Sequence, residues 1–149
     1  MLEDVQISEV EARPIAVVRR TANNAELADV MISALDKVWD FLGTHDVEAG
    51  HNVVLYHDQI YNLEAGVEYK GELPSTAGTE IEASQTPGGR VASVVYYGEY
   101  DELSLAHTAV VRHCIAAGLR FAGPYWEVYG DHSEDPAERR TDVYYLLRD

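Results

Sequence analysis

The segment Gly50-His51-Asn52-Val53-Val54-Leu55-Tyr56-His57-Asp58 aligns without a gap on Gly123-Pro124-Tyr125-Trp126-Glu127-Val128-Tyr129-Gly130-Asp131, and both copies open on Gly and close on Tyr-x-Asp. What precedes each copy also agrees in order. Val18 lies 32 residues before Gly50 and Val95 lies 28 before Gly123, a difference close to one helical turn. A chain that repeats in order and register commits each half to the same supersecondary unit. Units of about 70 residues bury too little surface to be comfortable alone, and each leaves a sheet face to cover. The expectation is one domain over residues 1–149, built from two tandem modules at about 5–73 and 79–147 and paired about a pseudo-twofold axis.

Hydrophobic periodicity supplies the module. In the first half an extended stretch over residues 5–20 is broken at Ala12-Arg13-Pro14 and resumes as the β-branched run Ile15-Ala16-Val17-Val18. Leu27, Val30, Met31, Ala34, Leu35, Val38, Phe41 and Leu42 then recur at spacings of three and four, with Asn23 to Glu26 shaped like a capping box and Gly43 placed as a helix stop. Two strand candidates follow, Val53 to Tyr56 and Leu63 to Tyr69. The second half repeats this grammar: Ile81 to Ser84 extended, Pro87-Gly88-Gly89 as a break, Val91 to Tyr97 as a strand, and a helix from near Asp101. That helix carries the stripe Leu103, Ala106, Val110, Cys114 and Ala117 and stops at Gly118, ahead of strands at 125–129 and 141–147. The fold class is α+β, two βαββ modules with antiparallel sheets and a ligand cleft between the modules, since helix-free sheet faces meeting at such a junction are where ligands settle.

Composition narrows the function. The chain is 46% hydrophobic and no apolar run approaches a membrane span, while the first ten residues are acidic where a signal peptide would be basic. A soluble, unexported chain is expected. Against 26 Asp and Glu stand 11 Lys and Arg, of which only Lys37 and Lys70 are lysines. The net charge of −15 argues against direct nucleic acid binding, which needs a basic patch. The lone Cys114 permits no internal disulfide and fits a reducing cytoplasm. No phosphate-cradling G-x-x-x-x-G-K-[ST], dinucleotide G-x-G-x-x-G, zinc H-E-x-x-H or nucleophile-elbow G-x-S-x-G occurs, and no cofactor is expected. His45, His51 and His57 with Asp58 lack a ligand spacing, so no metal site is expected. Cys114 shares its helix with His107 and His113, where a small buried cysteine is a simpler reading than a nucleophile.

Alternation along strand 125–129 separates Tyr125, Glu127 and Tyr129 from Trp126 and Val128, and the apolar pair is expected to meet the helix. Strand 141–147 sends Asp142, Tyr144 and Leu146 one way, which puts Tyr144 on Glu127's side. The repeat gives Asn52, Val54 and Tyr56 as the matching groove-facing set, opposite Val53 and Leu55. Tyrosine supplies 10 of the 14 aromatic residues, and its flat apolar ring with a hydroxyl suits planar ligands. A carboxylate among such rings attracts cations directly and through cation–π contact, or serves as a proton donor and acceptor. Glu127 is the central candidate.

Three stretches resemble the GyrI-like small-molecule-binding family, which includes effector domains of some AraC-type and multidrug-sensing MerR-type regulators as well as stand-alone proteins. Val94-Val95-Tyr96-Tyr97-Gly98-Glu99-Tyr100-Asp101-Glu102-Leu103 is similar to the family's strand, Gly-x-Tyr turn and helix start. Gly123-Pro124-Tyr125-Trp126-Glu127-Val128-Tyr129 is similar to its Gly-Pro-x-x-Glu-x-Tyr strand, and Thr141-Asp142-Val143-Tyr144 to its closing Thr-Glu-Ile-Tyr. Tyr145-Leu146-Leu147 stands where the family usually has a proline, and the first module is only loosely similar. The resemblance implies two tandem βαββ modules with a cleft. It also implies a glutamate, here Glu127, that pairs with lipophilic cations in an aromatic pocket formed with tyrosines at the positions of Tyr144 and Tyr56.

The βαββ units consume residues 5–147, so no helix-turn-helix is expected and the chain reads as a stand-alone member. Three readings stay open. One is a binding or sequestering protein for hydrophobic, planar or cationic small molecules. Another follows stand-alone relatives that hydrolyse cyclopropane-bearing natural products, with Glu127 activating water and Tyr144 or Trp126 positioning the electrophile, although alternation sets Trp126 opposite Glu127. The third is an acidic protein partner of DNA gyrase. The ligand's identity and the oligomeric state stay open.

Overall fold

Apolar runs of β-branched residues and two amphipathic stripes become, in a computed structural model describing residues 1–23, 25–58 and 62–149, strands and helices in the expected order. These are β1 (Gln6–Val10), β2 (Pro14–Thr21), α1 (Leu27–Thr44), β3 (Glu48–Tyr56), β4 (Asn62–Lys70), β5 (Glu82–Gln85), β6 (Gly89–Tyr97), α2 (Ser104–Ala116), β7 (Phe121–Tyr129) and β8 (Arg140–Leu147). The class is α+β, and all the strand pairs described below are antiparallel.

The chain forms two compact units, Ala12–Thr86 and a second made of Met1–Glu11 with Pro87–Asp149. In the first the strand order is β3-β4-β2-β5, with α1 packed on β2, β3 and β4. In the second it is β1-β6-β8-β7, with α2 on β6 and β8. These units depart from the boundaries 5–73 and 79–147. β1 pairs with β6, Ile7 opposite Ala92, and β5 pairs with β2, Ala83 opposite Ala16. Each repeat thus takes its outer strand from the segment preceding the other. Edge pairing runs through backbone N–H and C=O groups that every residue carries, so side-chain pattern does not say which edge a short strand joins.

The repeat is physical. β3 and β4 slip register between Ala49 and Asn52, and β7 and β8 slip between Phe121 and Tyr125. The aligned pairs Gly50-His51 and Gly123-Pro124 fall inside these two irregularities, where β3 carries one extra residue and β7 two.

Helix ends follow local chemistry. Asn23 accepts a hydrogen bond from the Glu26 backbone N–H at 2.9 Å through its side chain, which realises half of the expected capping box just ahead of α1. Gly43 does not stop α1, which runs on to Thr44. The left-handed residue is Asp46 at φ 53°, and the Val47 N–H donates back to the Leu42 carbonyl at 2.9 Å. Gly118, at φ 71°, ends α2 as expected, with the Leu119 N–H on the Cys114 carbonyl at 2.9 Å. The α1 stripe buries Ala34, Val38, Phe41 and Leu42, and α2 buries Ala106, Val110 and Cys114. No helix among the described residues is long and apolar enough to cross a membrane.

At Gly66 in β4 the backbones approach closely. A Cβ there would collide with the Ala16 carbonyl and lie 2.7 Å from Val17 Cγ1. Gly66→Ala is therefore expected to cost about 3 kcal/mol or more, read from the urea unfolding midpoint. A loss below about 1 kcal/mol would contradict the register described for β2 and β4.

Candidate functional site

Directly opposed residues in an antiparallel pair share a face, so the β7–β8 register decides which side chains meet. Tyr125 lies opposite Tyr145, Glu127 opposite Val143 and Tyr129 opposite Thr141, whereas Trp126 lies opposite Tyr144 and Val128 opposite Asp142. Across β6, Ala92 pairs with Tyr145, Val94 with Val143 and Tyr96 with Thr141. Glu127 therefore belongs to the face that carries Tyr125, Tyr129, Tyr145 and Val143, and α2 covers this face. The proof is His107 on α2, whose Nε2 lies 2.6 Å from Glu127 Oε2 and whose Nδ1 lies 2.7 Å from the Tyr145 hydroxyl.

This reverses two expectations. The helix meets the strand through Glu127 and its tyrosines, not through Trp126 and Val128. Tyr144 is not on Glu127's side: its ring stacks on Trp126, with centroids 5.2 Å apart and planes 14° from parallel. The alternation of both strands is as read from sequence. What fails is the phase between them, since a one-residue change of pairing exchanges the two faces throughout.

Around Glu127 the side chains form one network. The residue is only 5% exposed, and burial of a carboxylate demands partners. The Tyr129 hydroxyl donates to Oε1 at 2.7 Å, and the imidazole of His107 donates from Nε2 to Oε2. With Nε2 committed, Nδ1 of a neutral ring accepts from the Tyr145 hydroxyl. Rings wall the group: Tyr125 and Tyr145 stack at 4.9 Å and 8°, and His107 stands edge-on to both, at 5.8 Å and 5.6 Å. Phe121 tilts against Tyr145 at 5.3 Å, and Tyr100 meets Tyr129 edge-on at 5.6 Å. Burial above all, then Tyr125 and Glu127, pushes the Tyr145 phenol far above its ordinary value.

In the other unit the same inversion holds. The Asn52 side chain accepts from Trp39 Nε1 on α1 at 2.7 Å, and the Tyr56 hydroxyl contacts Met31 Sδ at 3.7 Å. Asn52, Val54 and Tyr56 thus lie on the face that α1 covers, with Val54 and Tyr56 buried. Val53 and Leu55, on the opposite face, are buried as well. Burial on both faces is why hydrophobic pattern alone could not tell the helix side from the other. Beside Leu55 in the register stands Glu64, 2% exposed, with Oε2 on His57 Nε2 and Oε1 buried with no hydrogen-bond partner among the described residues.

Sequence reasoning missed His107, Tyr145 and the Glu64–His57 pair. His107 had a readable signal, since it falls four residues after Leu103 and three before Val110 and so borders the apolar stripe. Among the described residues no group of three or more His, Cys, Asp or Glu side chains is arranged to hold a metal ion. Cys114 is buried, and that burial raises its thiol pKa, which makes a poor nucleophile.

No family model matches the sequence, and no curated protein matches it. Solved structures do match. The EcmrR C-terminal domain superposes with a TM-score of 0.81 at 16% identity, covering 98% of each chain. A chain of an EcmrR–DNA complex gives 0.81 at 16% identity over 99% of this chain, which spans 58% of that one. SAV2435 bound to tetraphenylphosphonium matches at 0.61 and 11% identity over 98% of this chain and 94% of that one. A hydrolase from Listeria innocua matches at 0.61 and 8% identity over 97% and 92%. At these identities what is shared is the fold, and the chain has the fold of the EcmrR C-terminal domain.

Because Tyr145 keeps its proton in the folded chain at pH values where an unfolded tyrosine ionises, the stability this phenol supports is intact below about pH 10 and falls as pH rises. Tyr145→Phe is expected to flatten the loss of stability between about pH 10 and 11.5, by up to about 1.4 kcal/mol per pH unit, in urea titrations. An unchanged slope would contradict the burial described for this hydroxyl.

Proposed function

We propose that this chain is a GyrI-like small-molecule-binding domain, a binding or sequestering protein for hydrophobic, planar or cationic compounds, with Glu127 at the centre of a tyrosine-rich cleft. The observation that carries the reading is the Glu127 carboxylate, buried among Tyr125, Tyr129 and Tyr145 and hydrogen-bonded by Tyr129 and His107. Such a group offers a cation both charge and π faces in a medium less polar than water. A structural neighbour bound to tetraphenylphosphonium, a hydrophobic cation, supports the ligand class. Tyr125 and Tyr129 are the first contacts; Asn52, Val54 and Tyr56 are a separate candidate set on the face that α1 covers in the first unit. Trp126 and Tyr144 act at a distance, by fixing β7 against β8 from the reverse side.

Calorimetric titration with tetraphenylphosphonium and with neutral triphenylphosphine oxide tests this. Glu127→Gln is expected to weaken the cation about 10- to 100-fold while changing the neutral ligand by less than about threefold. Equal losses for both, or no binding to wild type, would contradict the reading.

The pairing of Glu127 with an imidazole favours one second reading, hydrolysis of a strained electrophile with Glu127 and His107 sharing the proton from water. A neighbour named as a hydrolase keeps it in view. Its signature is a cyclopropane-bearing substrate that gains one water with wild type and none with Glu127→Gln, as mass spectrometry would record.

A further inference from the structure

The basic group that α2 brings to the buried carboxylate is an imidazole, and this gives the site a removable charge. We propose that His107 is the resident counter-ion of Glu127 and that a ligand cation takes over that role by expelling one proton, so that cation capture is coupled to pH. The inference rests on the binding reading above and specifies it: the ligand class is the hydrophobic monocation, and the proton is its competitor.

The argument starts from geometry. Glu127 Oε2 and His107 Nε2 are 2.6 Å apart, and their side chains are 6% and 20% exposed. A carboxylate this buried is stabilised by a positive partner, and protonated imidazole is one. Two cations facing one buried carboxylate repel each other, and of the two only the imidazolium can shed its charge near neutral pH. The proton leaves from Nδ1 to solvent or buffer, while the Nε2–H stays on Glu127.

Tyr145 makes that exchange inexpensive. A hydroxyl both donates and accepts, so it accepts from Nδ1–H of the imidazolium and donates to Nδ1 of the neutral ring, across the same 2.7 Å. Because Tyr145 holds its own proton far above its ordinary range, the exchange leaves the phenol neutral throughout. The ring therefore has hydrogen-bond partners in both charge states without moving.

Groups facing the pair come from every packed element. β7 supplies Tyr125 and Tyr129, β8 supplies Tyr145, and the one-turn 3₁₀ helix Tyr100–Glu102 supplies the ring that meets Tyr129. Arg139 lies over that Tyr100 ring at 5.9 Å from its centroid. On β6 the shared face carries Tyr96, whose hydroxyl donates to the Glu99 carbonyl, with Glu99, Asp101 and Glu102 acting on it electrostatically. On α2 itself the residues three and four positions from His107 are Leu103, Ser104, Val110 and Val111, none of which titrates.

The test is calorimetric titration of wild type with tetraphenylphosphonium between pH 5.5 and 8, each point in two buffers of different ionisation enthalpy, alongside triphenylphosphine oxide. Wild type is expected to release up to about one proton per cation at the acid end, with affinity rising by up to about tenfold per pH unit there and proton release falling as pH rises. The neutral ligand is expected to release none. His107→Gln keeps an N–H for Glu127 and is expected to bind the cation with pH-independent affinity, which separates His107 from any titration of Glu127 itself. Cation binding without proton release by wild type, or the same release by His107→Gln, would overturn the proposal and leave the binding reading standing. No binding at any pH would overturn both. Should His107→Gln not fold, the wild-type buffer comparison decides alone.

Discussion

A carboxylate can be buried beneath a helix only if hydrogen-bond partners meet it, and the second unit is arranged around that demand. Glu127 sits on β7 with α2 above it, and α2 answers with His107 while the strand answers with Tyr129. These two hydrogen bonds constrain more than one side chain. They set the rotation of α2 over the sheet, because His107 must reach Glu127 and Tyr145 while Ala106, Val110 and Cys114 fill the core. They also bring the Tyr125–Tyr145 stack against the imidazole edge. Packing and polarity thus specify one arrangement.

Element identity was legible in the sequence because it depends on local quantities. Spacing of three and four gave α1 and α2, β-branched runs gave the strands, and Gly118 marked a left-handed cap. The match between Gly50 and Gly123 marked the repeat, and both segments fall where the ladder register shifts. What sequence did not carry was phase. Alternation says that Glu127 and Trp126 point apart, but not which of them faces the helix, and in strands buried on both faces the apolar residue is no guide. The rule that an apolar face meets the helix misled for a physical reason: a glutamate is admissible there once a histidine on the helix meets it. Tyr144 was misplaced by the same one-residue phase, and the exchange of β1 and β5 was hidden because backbone pairing leaves no trace in side-chain pattern.

The chemistry of the site follows from its being paired and enclosed together. A lone glutamate among tyrosines would be a cation trap held open at the expense of folding. With His107 the carboxylate has a hydrogen-bond partner in the absence of ligand, and the Tyr145 hydroxyl can donate to or accept from the same ring. Glu64 and His57 repeat the carboxylate–imidazole motif in the other unit with a different surrounding, one Glu64 oxygen buried without a hydrogen bond among the described residues and the imidazole half-exposed. Similar pairs in the two repeats are therefore not equivalent, because the walls around Glu127 are aromatic and those beside Glu64 in the sheet include Leu55 and Arg19.

The central claim is that ligand charge is met at Glu127 on the face α2 covers. Crystals of the protein grown with tetraphenylarsonium and measured for anomalous scattering test it most directly, since the arsenic atom marks the cation's position without reference to mutants. The account predicts an arsenic peak against the Glu127 carboxylate, among the rings of Tyr125, Tyr129 and Tyr145. A peak lodged instead against the Trp126–Tyr144 stack, or away from Glu127 altogether, would contradict it.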